Sequence, residues 1–521
     1  MKKYLIHTVV IIVIIIIFKT AAVFSQNPGE LIWKASTDWH VHAVAPAGDS
    51  DQDGFTDIFV GSGDNLIYCF SGGGLNESSI IWSWATSSDI WTVTRLSDIN
   101  NDGVDDCLAG GADNTVYCMS GKPLNGLTKI LWSFSVGGDV WSVAEIEDVD
   151  DDGINDALVG TGNDIIYCLD GAYGKVLWSY NTQSDILSIT AIPDVNGDGK
   201  QDCLAGGMGD RIYCISGGSS GTGELLWYCN TQSTMRSVSS ISDVNSDGVA
   251  DCLAGGEDDY IYCISGTNSG KATPIWTYKT GSTVLSVSSI DDVNNDNISD
   301  CLAGGKDNKI LCLSGKDGEE IWSYTSKSTV TVVSSIQDIN NSGKSDCIAG
   351  SEDNRIYCIE GQSSGNGELI WSYKITAGTV TCLTPIDDLN QNGVPEVVAG
   401  SDNSFIYIIE GGQSSVDVVE DEEPDTDLPC SVLLSPNYPN PFNSETVINF
   451  HVPRYEHVVL EIFNIDGELL LKPINGYFLA GTYRVRWNGR DNYGISVPSG
   501  VYFYRLKSPY ASHTRKMMYV K

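Results

Sequence analysis

Eight stretches of the chain repeat one arrangement of oxygen-bearing side chains: DSDQDGFTD from Asp49, DINNDGVDD from Asp98, DVDDDGIND from Asp148, DVNGDGKQD from Asp194, DVNSDGVAD from Asp243, DVNNDNISD from Asp292, DINNSGKSD from Asp338 and DLNQNGVPE from Asp388. A hard cation such as Ca2+ takes about six to eight oxygens, and a tight loop turning at a glycine can aim side chains 1, 3 and 5 and carbonyl 7 at one point. A ninth-position carboxylate adds a further ligand. The spacing points to eight calcium loops. Four use Asp49, Asp51, Asp53 and Asp57; Asp98, Asn100, Asp102 and Asp106; Asp148, Asp150, Asp152 and Asp156; and Asp194, Asn196, Asp198 and Asp202. The other four use Asp243, Asn245, Asp247 and Asp251; Asp292, Asn294, Asp296 and Asp300; Asp338, Asn340 and Asp346; and Asp388, Asn390 and Glu396. Asn297 in place of glycine, Ser342 and Asn392 mark the last three as weak or empty. One such loop reads equally as a polar turn, because Asp and Asn bond their own backbone; eight in one spacing favour metal. Paired catalytic acids need carboxylates in unlike environments, which a ring of equivalent loops does not offer.

The elements that must position these loops recur with them, every 46 to 50 residues, the period of a solenoid, propeller or array. Between loops the chain alternates short apolar runs with Gly, Asp and Asn punctuation. DCLAGG (251–256), YIYCISG (260–266), PIWTYKT (274–280) and TVLSVSSI (283–290) read as four strands. Four antiparallel strands per repeat, with no helical period, describe a propeller blade. The fourth-strand tryptophans are Trp33, Trp82, Trp132, Trp178, Trp227, Trp276, Trp322 and Trp371, eight in all. Because GELIWKA precedes the first loop while the last repeat lacks a tryptophan strand, the N-terminal strand is expected to complete the last blade. The fold class is therefore all-β: an eight-bladed β-propeller over 27–412, followed by a small sandwich.

Composition narrows the function. Formal charge is -38, from 68 acidic against 30 basic residues, which argues against a nucleic-acid partner. The first 25 residues set Lys2 and Lys3 ahead of an apolar run from Val9 to Phe18 and small residues at Ala21, Ala22 and Ser25. That is the pattern of a signal peptide cleaved after Ser25; an uncleaved anchor is the other reading, although the run is shorter than the roughly 20 residues of a span. No other segment could span a bilayer, so the mature chain is expected to lack one.

Cysteines recur eleven positions apart at Cys107/Cys118, Cys203/Cys214, Cys252/Cys263, Cys301/Cys312 and Cys347/Cys358. A hairpin with Ala112 and Asp113 at its tip would set each pair directly opposite, at a spacing a disulfide allows, and export supplies an oxidising compartment. The other reading is cysteine as a small core residue, which the unpaired Cys69 and Cys168 favour. No spacing suggests zinc.

The loop motif resembles the FG-GAP/VCBS calcium repeats of integrin-type propellers, and IYCISG...GELLW resembles the repeats of PQQ-like quinoprotein propellers. The first resemblance implies calcium loops on one face and ligand on the other, where the first strands begin. There, seven residues ahead of each loop, stand His42, Trp91, Trp141, Leu187, Arg236, Leu285, Thr331 and Thr381, with His40, Asp89, Asp139 and Asp185 two residues earlier in the first four repeats. Tryptophan flanked by carboxylates could stack on a sugar and bond its hydroxyls; aromatic plugs filling the channel are the other reading.

Residues 413–431 form an acidic, Pro-containing linker, and 432–521 carry NYPNPFNSET, IFNIDGE, WNGRDNYG, SGVYFYRL and the basic end RKMMYVK. These resemble the Ig-like type IX secretion sorting domain, related to flagellar hook-capping proteins. The resemblance implies the secretion machinery as partner and the outside of a Gram-negative outer membrane as destination. The expected function is a non-catalytic, calcium-binding adhesion module taking a glycan or a surface protein, with no organic cofactor. A PQQ-type dehydrogenase and a structural scaffold are the alternatives.

Overall fold

The computed structural model describes residues 28–73, 79–124, 126–390, 392–412 and most of 432–520. The expected signal peptide (1–25) and the expected linker (413–431) lie outside the described residues. The chain divides into two units between Val418 and Val419, within the linker.

Among the described residues, the first unit contains eight sheets of four or five strands. The sheet carrying the Asp98 loop is representative: Ile90–Leu96, Asp106–Gly111, Thr115–Met119 and Ile130–Ser135 pair in that order, all antiparallel. The loop joins its first and second strands. The second strand is buried along its whole length, which explains why it reads DCLAGG, with no alternation of polar and apolar residues. Gly110 shows how tight the joint is: a Cβ there would lie 2.3 Å from Val140 Cγ1 of the next sheet.

The first strands touch in sequence around the unit, and Val380–Ile386 returns to Val41–Pro46. Sheets succeeding one another about a closed cycle of inner strands make a β-propeller. The closing sheet runs Leu31–Ser36, Phe405–Ile409, Glu396–Ser401, Val380–Ile386, so the N-terminal strand completes it as the repeat phase requires. This pairing covers an edge that would otherwise be open.

The tryptophans staple sheet to sheet. Trp82 Nε1 donates to the Gly121 carbonyl of the following sheet at 3.0 Å, and Trp132, Trp178, Trp227, Trp276 and Trp322 repeat the bond to Gly171, Gly217, Gly266, Gly315 and Gly361. Trp33 and Trp371, at the two joints of the closing sheet, have buried Nε1 atoms with no partner.

The paired-cysteine expectation fails on register. Cys107 lies opposite Met119, and Cys118 opposite Leu108; the other four pairs are offset identically. One residue of offset puts the two thiols on opposite faces of the sheet. The cause is Asn114, at φ +62°, which adds a left-handed third residue to a loop read as two. All these cysteines are free and buried. Cys107 instead shares a core cluster with Cys69 of the preceding sheet, and Cys203 with Cys168. At the equivalent joints Cys118 meets Ala157 and Cys358 meets Val397. Cysteine is thus exchangeable with alanine and valine there, as a core residue, and burial drives the thiols of Cys118 and Cys214 far above their ordinary pKa, which suppresses reactivity.

The second unit has two antiparallel sheets. Leu433–Leu434, Thr446–Val452 and Gly481–Trp487 form one; Leu469–Phe478, Glu456–Phe463, Gly500–Lys507 and Ser512–Tyr519 form the other. Ile448 and Phe450 of the first share a core with Leu460, Ile462 and Tyr504 of the second.

Candidate functional site

The acidic loops are built by their own backbone. Asp49 Oδ1 accepts from the Asp53 N–H at 3.0 Å and Oδ2 from Gly54 at 2.9 Å, while Asp53 Oδ1 accepts from Phe55 at 3.0 Å. Gly54 lies at φ +95°, where a side chain would be strained. Asn297 takes that position in the sixth loop at φ +67° and keeps the bond to Asp292 Oδ2 at 2.9 Å, because asparagine tolerates the left-handed region. Lys200 Nζ reaches back to the Asp148 carbonyl at 2.9 Å, and Lys344 Nζ lies 3.9 Å from Asp292 Oδ2, so neighbouring loops are linked in part by lysine.

The eight loops are not equivalent at positions 3 and 5. Oxygens of Asp49, Asp51 and Asp53, and again of Asp148, Asp150 and Asp152, come within 4.8 Å of one another. Among the described residues, these two loops alone gather three carboxylates in this way. The other six have asparagine at position 3, which offers one oxygen and brings an N–H2 donor that no cation accepts. Asn100 Nδ2 donates to Asp106 Oδ1 at 2.9 Å, Asn196 Nδ2 to Asp198 Oδ2 at 2.9 Å and Asn294 Nδ2 to Asp300 Oδ1 at 3.3 Å. The amide oxygens of Asn245 and Asn340 each accept the position-5 N–H, from Asp247 and from Ser342, at 2.9 Å. At position 5, Asp102 and Asp296 brace the turn by accepting from Val104 at 3.1 Å and Ile298 at 2.9 Å. An asparagine therefore satisfies neighbouring carboxylates by hydrogen bonding, where Asp51 and Asp150 add to the negative charge.

The ninth-position carboxylates differ in kind. Asp202 Oδ2 accepts from Val195 N–H at 2.8 Å and Oδ1 from Gly217 at 2.9 Å. Asp57, Asp106, Asp156, Asp251, Asp300 and Asp346 repeat both bonds. Each latches the start of its loop to the turn leaving the third strand. Burial pushes their pKa up, to about 7 for Asp57 and about 6 for Asp202, against the lowering pull of those N–H groups.

A position absent from the sequence reading faces each loop. Eighteen residues after position 5, at the exit of the third strand, stand Ser71, Ser120, Asp170, Ser216, Ser265, Ser314, Glu360 and Glu410. Ser216 Oγ donates to Asp198 Oδ2 at 3.0 Å, and Ser265 Oγ to Asp247 Oδ2 at 2.9 Å. Where position 5 is Asp, the exit residue is Ser or Asp; where it is Ser342 or Asn392, the exit residue is glutamate. That constant spacing and exchange were the available signal.

At the other end of the first strands, each of the eight residues standing seven ahead of a loop sits on a β-bulge. Register shifts fall at His42, Trp91, Trp141, Leu187, Arg236, Leu285, Thr331 and Thr381. A bulge re-aims the side chain it carries. Trp91 and Trp141, from adjacent sheets, stack with centroids 4.1 Å apart, and His40 stacks on the exposed Trp39 at 5.3 Å. His42 Nε2 is buried without a partner, and burial lowers its pKa. Thr381 Oγ1 crosses to the Val41 carbonyl at 2.5 Å. Arg236 is engaged by Glu257 through Nε at 2.9 Å. The main-chain carbonyls of Asp89, Asp139 and Asp185 accept from Ala112, Gly162 and Met208 N–H at 2.8 to 2.9 Å, and burial raises the Asp185 carboxyl. At the acidic-loop end, a cavity of about 590 Å3 is lined by residues including Pro46, Thr56, Arg95, Gln337 and Asp387.

Residues 437–521 match the family described as the secretion system C-terminal sorting domain. The chain carries an export tail. It is secreted by the type IX route, to the cell surface or beyond. No curated protein matches the chain. Among solved structures, Sqt1 from Saccharomyces cerevisiae is similar at a TM-score of 0.61 and 12% identity, over 75% of this chain and 100% of that one. Sqt1 from Chaetomium thermophilum gives 0.57 and 13%, over 74% and 100%, and the computationally designed Ika8 gives 0.54 and 15%, over 73% and 100%. At such identities the likeness is one of fold alone. Among the described residues, no helix is long and apolar enough to cross a membrane.

Proposed function

We propose that the chain is a calcium-binding, eight-bladed β-propeller of the FG-GAP/VCBS kind, delivered to the surface of a Gram-negative cell by an Ig-like sorting domain. There it acts as a binding module for a glycan or a surface protein and not as an enzyme. The observation that carries this reading is the eightfold loop. Every loop sets a carboxylate at position 1, six set another at position 5 and two a third at position 3; in the Asp49 loop these spend only part of their acceptor capacity on the loop's own N–H groups, leaving lone pairs for a cation. The loops with three carboxylates, at Asp49 and Asp148, bind most tightly.

Ligand is taken at the opposite end, where bulges present Trp91 and Trp141 beside Asp89 and Asp139. Since those indoles stack on each other, a sugar packs on the outer face of the pair and does not enter between them. The test is calorimetric calcium titration of the secreted chain, followed by glycan-array binding of wild type and of Trp91→Ala with Trp141→Ala. The expected result is several calcium ions per chain and glycan binding that the double variant loses. A metal-free chain refutes the calcium reading; binding unchanged in the variant refutes the ligand face, and absence of any ligand leaves a scaffold.

A further inference from the structure

The outer edges of the eight sheets are protected unequally. Beside Val176–Asn181, Leu225–Asn230 and Glu320–Thr325, a two-residue strand from the following repeat (Gly221–Thr222, Gly270–Lys271 or Gly365–Asn366) pairs parallel to the outer strand and covers it. The N–H groups of Gly223, Ala272 and Gly367 close on the carbonyls of Ser179, Tyr228 and Ser323 at 2.8 Å. The carbonyl after the stapling tryptophan is thus one that faces outward. Among the described residues, the other five outer strands have no such cover. Four of them carry a lysine in the strand or directly before it: Lys34, Lys129, Lys279 and Lys374. Lysine on an open edge resists pairing with another chain. The fifth strand, Ile80–Ala85, has none. From Ser79 to Ser88 no side chain is ionisable.

The uncharged edge is also apolar. Ile80 is 52% exposed, and in the following repeat Leu124 and Leu127, on the loop that corresponds to the covering segments, are 76% and 71% exposed. That loop pairs with itself: Leu124 N–H donates to the Leu127 carbonyl at 2.8 Å and Leu127 N–H to the Leu124 carbonyl at 3.2 Å. Ser83, the equivalent of Ser179, is exposed and left without a cover. We propose that Ile80–Ala85 is a dimer edge, paired antiparallel with the same strand of a second copy of this chain about a two-fold axis at Ser83. Charge selects the occupant. On a chain of net charge -38, this strip lets two copies meet without like charges facing, and it offers a basic or an acidic partner no counter-charge. The register is self-complementary, as an isologous contact requires. Ser83 exchanges two N–H···O bonds with the partner's Ser83, Ala85 lies opposite the partner's Ile81, and Trp84 opposite the partner's Trp82. The paired edges then have no open ladder, which is the protection lysine gives the other four.

The test is sedimentation equilibrium of the full secreted chain over about 1 to 100 µM, a range that brackets a micromolar dimer. Wild type should dimerise. Ser83→Lys sets two like charges opposite each other across the axis and should weaken the dimer about a hundredfold. Ile80→Lys, at an exposed side chain of the same strand, should act in the same direction, so that misfolding of one variant does not decide the result. Thr277→Lys is the control: Thr277 is exposed at the equivalent position of the edge that already carries Lys279, and this variant should dimerise as wild type does. Hydrogen exchange at the Ser83 amide should slow as wild-type concentration rises and stay constant in Ile80→Lys. A wild type that remains monomeric throughout overturns the proposal. So does a dimer that Ser83→Lys and Ile80→Lys leave intact, or one that Thr277→Lys weakens equally.

Discussion

The closing sheet and the seven others are built from one repeat but held in different ways. Six of the eight tryptophans tie one sheet to the next through Nε1, and the two that do not are the two flanking the closing sheet. Its outer strand comes from the other end of the chain, pairing Lys34 with Tyr407 and Ala35 with Ile406. Its ninth-position residue is a glutamate with an unspent oxygen. A continuous repeat lets each sheet specify the geometry of the next. Where the chain ends must meet, that continuity is lost and the contacts are individual.

The largest test removes the difference outright. Deleting residues 28–36 strips the outer strand from the closing sheet and leaves Phe405–Ile409 as an exposed apolar edge, a template for intermolecular pairing. The expected outcome is aggregation of the truncated chain on size-exclusion chromatography, where full-length protein elutes as one species. A truncated chain that remains soluble and unfolds at the same temperature would show that closure carries no special burden.

A smaller effect separates the sheets by pH in the presence of a chelator. The buried ninth-position carboxyls bind protons more tightly folded than unfolded, since burial raises Asp57 to about 7, Asp202 to about 6 and Glu396 to about 9. A raised folded-state pKa contributes stability that is complete below the ordinary carboxyl range and disappears as pH climbs through the folded value. Seven sheets should therefore lose this contribution between about pH 4 and 8, while the closing sheet goes on losing it to about pH 10. Thermal melts of the calcium-free chain should fall through both ranges, and Glu396→Gln should abolish the fall above about pH 8 while leaving most of that below it. A single fall ending by pH 8 in wild type would show that Glu396 is no different from its counterparts.

Much of this architecture could be read from the sequence because repetition averages out local ambiguity. Eight loops at constant phase gave the period, eight tryptophans gave the number of outer strands, and a tryptophan strand ahead of the first loop gave the closure. What escaped was set by single backbone torsions and by side-chain direction. Asn114 at φ +62° moved the hairpin register by one residue and separated every cysteine pair. Asn100, Asn196 and Asn294 were counted as oxygen donors, but spacing cannot show that their amide nitrogens bond neighbouring carboxylates. Trp91 and its equivalents were found by counting, but the bulges that re-aim them leave no composition signature. Glu410 was missed because a loop motif directs attention to contiguous residues, whereas its partner position lies eighteen residues on, at the far end of the third strand.

The smallest effect isolates the staple itself. Replacing tryptophan by phenylalanine removes the same ring volume at any of the eight positions, but it removes a hydrogen bond only where Nε1 donates. Trp227→Phe breaks the 3.0 Å bond to Gly266 and strands a buried carbonyl, whereas Trp371→Phe relieves a buried N–H that has no acceptor. Because the packing losses are alike, the difference between the variants reports the bond, and Trp227→Phe should be the more destabilising by about 1 kcal/mol. Denaturant melts of the two variants, run side by side in calcium, measure it. Equal losses would mean that the tryptophans hold the ring by packing alone, and that the closing sheet differs from the others only in its strand order and its glutamates.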